Sequence, residues 1–106
     1  MRQPVENLLH NLKEIIEQQL IAAKKMDVQS LSAATEIRQD ILFELELETG
    51  VVEKTPELQS LVADITLLDQ RLMHILEIVS DTCKTVNPSK VATTYNAKAI
   101  LSKYKA

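Results

Sequence analysis

The feature that most narrows what this chain can become is the stretch from Leu58 to Val86. In it Leu58, Leu61, Val62, Ile65, Leu68, Leu72, Ile75, Leu76, Val79, Cys83 and Val86 recur at spacings of three and four residues. On a helix these positions form one apolar stripe. Thr55-Pro56-Glu57 provides its start: a hydroxyl to accept a free amide, a proline whose missing N–H is not needed, and a carboxylate at the positive end of the dipole. Asn87-Pro88 is where it is expected to end. At about 1.5 Å per residue such a helix is roughly 45 Å long, and only other long helices can cover a stripe of that length.

Two earlier segments have the right pattern to do so. Val5, Leu8, Leu9, Leu12, Ile15, Ile16, Ala22, Ala23 and Met26 share one face of a first helix, with Gln19 intruding on it. A buried glutamine needs a partner and can set register; the expectation here is that Gln19 lies at the end of the bundle, in water. The phase breaks at Lys25-Met26-Asp27. Asp27 reads as the cap of a second helix, in which Val28, Leu31, Ala34, Ile37, Ile41 and Leu45 restart the stripe and Leu42 and Leu47 widen it. Thr49-Gly50 stops that helix. The acids Glu44, Glu46 and Glu48 oppose the dipole in its last turn, so fraying after Glu46 is expected.

The fold class that follows is all-α: an antiparallel bundle of three long helices over about 4–25, 27–48 and 56–86 within residues 1–87, followed by a short basic C-terminal tail or fourth helix. A single glycine argues against a turn-rich β fold, and three aromatic residues make the core aliphatic. The net charge of −3 conceals a division. After Asp81 there are five lysines and no acid, whereas the preceding chain holds the other seven basic residues against all fifteen acidic ones. Within 88–106, Tyr95, Ile100, Leu101 and Tyr104 punctuate the lysines, and the segment reads as a mobile, basic tail that docks onto a protein partner.

Catalytic signatures are lacking. There is no glycine-rich phosphate loop and no Cys/His pair at metal spacing, so neither an enzyme nor a cofactor is expected. His74 could be a phosphoacceptor but reads as a boundary residue of the helix stripe, and Cys83 reads as core filler. The acidic body disfavours nucleic acid. With no run of eighteen apolar residues and no apolar leader, the chain is expected to be cytoplasmic, without membrane insertion.

The stretch Met26-Asp27-Val28-Gln29-Ser30-Leu31, with Glu36-Ile37-Arg38 and Ile41-Leu42-Phe43-Glu44-Leu45 after it, resembles the second-helix signature of FlgN-type flagellar export chaperones. In that family a helix turns at an aspartate, often written Gly-Asp, before a leucine, an arginine and a leucine pair. The tail Thr94-Tyr95-Asn96-Ala97-Lys98-Ala99 is similar to the family's Thr-Tyr-(Gly/Asn)-x-x-Gly. Met26 and Ala99 stand where glycine is common. The resemblance implies a cytoplasmic chaperone that holds hook-filament junction proteins by their amphipathic terminal helices before type III export, and it leaves docking on the export apparatus and a homodimer open. The expected docking surface is Val79, Cys83, Val86, Tyr95, Ile100, Leu101 and Tyr104, with the lysines steering acidic cargo. The alternative is a self-associating helical structural or adaptor protein without a client.

Overall fold

A computed structural model describes residues 4–48, 54–83 and 97–104, with side chains for all of these except 79–83 and 97–99. Every regular element among them is an α-helix: α1 Val5–Lys24, α2 Val28–Leu47, α3 Pro56–Cys83 and the short α4 Ala97–Ser102. The expected ends agree to within one residue for α1 and α2. Residues 84–96, including the expected stop at Asn87-Pro88, lie outside the described residues.

Local chemistry sets each start. Asp27 caps α2, its Oδ1 accepting the Ser30 amide at 3.1 Å while the Ser30 hydroxyl donates to Oδ2 at 2.7 Å. These bonds favour the carboxylate and hold the Asp27 carboxyl below its usual range. Thr55 Oγ1 accepts the Leu58 amide at 3.1 Å and starts α3.

The α1–α2 turn is equally specific. The Met26 amide donates to Ala23 O at 3.1 Å and the Asp27 amide to Ala22 O at 2.9 Å, the crossed pair that closes a helix through a left-handed residue. That residue is Met26, at φ 57°. A methionine pays for this conformation through its Cβ, and glycine would not.

Packed antiparallel, the helices bury Leu8, Leu9, Leu12 and Ile16 of α1, Leu31, Leu42 and Leu45 of α2, and Val62, Ile65, Leu72 and Leu76 of α3. The molecule measures 43 × 26 × 19 Å, a long dimension set by α3 at about 42 Å. The helix α1 lies along both α2 and α3, which approach each other very little. This leaves a groove between α2 and α3 that α4 fills at one end, touching both. Four residues of the expected apolar faces differ from expectation: Met26 and Val28 flank the turn and are exposed, Ile37 is 50 % exposed on the flank of α2, and Leu47 is exposed at its last residue.

Replacing the left-handed residue is expected to stabilise the fold. Met26→Gly should raise the unfolding free energy by about 0.5–1 kcal/mol in urea titration, because relief of Cβ strain exceeds the added freedom of the unfolded chain. An equal loss of stability would show that the Met26 side chain contributes more than its backbone strain removes.

Candidate functional site

Two polar constructions stand out in this aliphatic bundle, one at its centre and one at its foot. At the centre, α1, α2 and α3 are joined by Gln19, Thr35, Arg38 and Asp69. Arg38 is 1 % exposed, and its Nη1 donates to Gln19 Oε1 at 3.2 Å and to Asp69 Oδ1 at 2.5 Å. Gln19 Nε2 donates to Thr35 Oγ1 at 3.1 Å, and the Thr35 hydroxyl donates to Leu31 O at 2.7 Å. Gln19 is therefore fully buried and not at a wet end, because Arg38 and Thr35 reach it from the neighbouring helix. Arg38 Nε finds no acceptor among the described residues. A guanidinium loses its hydration in such a place, and only the three-helix meeting point gives it a carboxylate and an amide oxygen together.

At the foot, α4 seats between the end of α2 and the start of α3. Ile100, Leu101 and Tyr104 are buried there, at 9 %, 1 % and 1 % exposure. The Tyr104 hydroxyl donates to Leu45 O at 2.6 Å, and Gln59 Nε2 donates to Tyr104 O at 2.8 Å. Lys103 Nζ reaches the carbonyls of Leu45 at 3.4 Å and Glu46 at 3.3 Å, as well as that of Glu48, and lies 5.7 Å from the centre of the Tyr104 ring.

The last turn of α2 has no basic residue of its own, and the helix ends at Leu47, one residue past the Glu46 after which fraying is expected; Lys103 supplies the cation that its open carbonyls favour. One expectation is corrected. The segment 97–104 is docked, so Ile100, Leu101 and Tyr104 are core residues and not an exposed docking surface. Of the other expected docking residues, Val79 and Cys83 lie on α3 with side chains outside the described residues; Val86 and Tyr95 lie outside them altogether.

The remaining surface is less constructed. His10, Lys13, Glu57, Ser60 and Asp64 line an open groove between α1 and α3, crossed by the Lys13–Asp64 pair at 3.7 Å. His74 is exposed, as expected of a boundary residue, and on the same outward side of α3 are Leu67 at 51 % and Ile78 at 55 % exposure. Among the described residues no group of three or more His, Cys, Asp or Glu converges as metal ligands do, and no helix is long and apolar enough to cross a membrane. Compared with protein-family models, curated proteins and solved structures, the chain matches none.

Sequence periodicity marked Gln19 as an intruder and passed over Arg38 and Asp69 as ordinary charged residues. An arginine on the apolar stripe of α2, three residues from Ile41 and four from Ala34 and Leu42, was the available signal.

Two predictions follow from these contacts. Asp69→Ala leaves the Arg38 charge buried without its counter-ion and should cost about 3 kcal/mol of stability, whereas Arg38→Met together with Asp69→Leu should recover most of that loss in chemical denaturation. Burial pushes the Tyr104 phenol above its ordinary 10.0, with Glu48 adding to the shift. The folded chain thus holds this proton more tightly than the unfolded one. The resulting stability is complete below the unfolded value and is lost as pH rises through the folded one. Alkaline titration of tyrosinate absorbance should show one late-titrating tyrosine, and Tyr104→Phe should abolish that late step while costing about 1 kcal/mol through the lost hydrogen bond.

Proposed function

We propose that this chain is a cytoplasmic chaperone of the FlgN type, which binds the amphipathic terminal helices of hook-filament junction proteins and keeps them from assembling before type III export. The observation that carries the reading is the α1–α2 turn. The family signature often places glycine before the aspartate, and here the residue at that position, Met26, has the positive φ that glycine accommodates most readily. The aspartate caps the following helix, and the arginine of the same signature joins the three helices. Met26, Asp27 and Arg38 of the resemblance thus each have a structural task that supports the reading.

A long bundle with apolar side chains on its outer surface supports helix-to-helix recognition. With Ile100, Leu101 and Tyr104 occupied in the core, the docking surface is assigned to the outward side of α3, around Leu67 and Ile78. A partner helix laid along this side would cover exposed aliphatic area without opening the bundle. No catalytic step is involved, and the activity is that of a stoichiometric holder.

Isothermal titration of the full chain against the terminal helical regions of junction proteins tests this reading. Saturable binding is expected, weakened at least about tenfold by Ile78→Glu and by Leu67→Glu, since a carboxylate on the docking side must be desolvated. Absence of binding to every junction subunit would reject the chaperone reading. Binding that both substitutions leave unchanged would reject the assigned surface alone.

A further inference from the structure

The helix α2 divides its charge between two sides. Its only base, Arg38, is buried against Gln19 and Asp69, while its acids Glu36, Asp40, Glu44 and Glu46 are all exposed. At about 100° per residue, Glu36, Asp40, Phe43, Glu44 and Leu47 share the side turned away from the buried Leu31, Arg38 and Leu45. Phe43, the chain's one phenylalanine, is 47 % exposed there, and Leu47, one turn on, is exposed to the same degree. Glu36, Asp40 and Glu44 stand four residues apart, two like-charge pairs in series that weaken the helix carrying them. Among the described residues none of these three carboxylates forms a salt bridge.

We propose that this side of α2 is a docking surface for a basic amphipathic helix of a partner protein, whose apolar stripe covers Phe43 and Leu47 and whose lysines or arginines meet Glu36, Asp40 and Glu44. Charge selects this occupant. A nucleic acid, an anionic bilayer or an acidic helix is repelled by three carboxylates with no base between them. A neutral apolar helix covers Phe43 and Leu47 but strips water from the carboxylates without pairing them.

The chain shows the same mode in miniature at the foot of this helix. There a short amphipathic segment buries Ile100, Leu101 and Tyr104 and places Lys103 on the carbonyls of Leu45 and Glu46. From Glu36 to Leu47 the outward side runs about 17 Å, three turns, which a partner helix of about twelve residues covers. It lies on a different helix from the outward side of α3 and is available whether or not junction proteins bind there.

The test titrates the isotope-labelled full chain with a synthetic helix of about sixteen residues, leucines at its a and d positions and lysines beside them. Amide shifts should concentrate between residues 36 and 47, and affinity should fall as salt rises. Phe43→Ser should weaken binding at least about tenfold. Glu36→Lys together with Glu44→Lys leaves Asp40 between two bases, a pattern that supports the helix, and should also weaken binding at least about tenfold. The same peptide with glutamates in place of lysines should bind that double variant better than it binds the original chain. Absence of saturable binding overturns the proposal, as does an affinity that the charge reversal leaves unchanged. Equal binding of a lysine peptide with serines in place of its leucines overturns it too, since charge alone would then suffice. Shifts centred on Gln59 and Tyr104 would show the peptide taking the α4 seat instead, and a dimer of the chain that Phe43→Ser dissociates would make a second copy the occupant; either result overturns it.

Discussion

The burial of one guanidinium governs how the three long helices can meet. Arg38 has lost nearly all contact with water, and its charge is tolerable only where Asp69 of α3 and Gln19 of α1 converge on the same nitrogen. Sliding α2 along α1 by one turn, about 5.4 Å, would separate these groups and strand the charge in aliphatic surroundings. An apolar stripe alone is indifferent to such a slide, because one leucine ridge packs much like the next. The network therefore contributes register more than net stability, and the unpartnered Nε indicates that the arrangement is adequate without being optimal.

From that register the rest of the fold follows. The helix α1 is the common neighbour, and holding α2 and α3 on it keeps them apart along most of their length. The resulting groove would expose Leu45 and Leu58 at the foot if nothing entered it, and α4 enters with three large side chains. Its docking also resolves an electrostatic conflict. The acidic last turn of α2 places carboxylates near carbonyls that already carry partial negative charge, and a lysine from nearly sixty residues further on supplies the opposing charge. Lys103 of the basic C-terminal segment thus compensates an acidic helix end within the same molecule, which gives the charge asymmetry of the sequence an internal use.

This bears on the functional reading. A surface offered to a partner helix has to be one that the fold does not already consume, which moves attention from the C-terminal apolar residues to the outer side of α3. There Leu67 and Ile78 remain in water while the inward positions Ile65, Leu72 and Leu76 are fully buried. Exposed aliphatic side chains on one side of a helix are the kind of area that a partner helix covers in the proposed reading.

Periodicity, capping residues and breakers determined the helical class, the bounds of α1 and α2 and the start of α3. Asp27 and Thr55 act through neighbours three residues away, and such local physics is legible in one dimension. The stripe on α3 was equally legible, since burial at three- and four-residue spacing is a property of any helix packed on one side. What only the tertiary structure decided depends on distant partners. Gln19 is dry because residues sixteen and nineteen positions away reach it, and Tyr104 is a core residue because Leu45, fifty-nine positions earlier, offers a carbonyl. A six-residue helix is too short to be stable alone, so its sequence carries little sign of whether it docks. That outcome rests on the groove between α2 and α3, which no segment contains by itself.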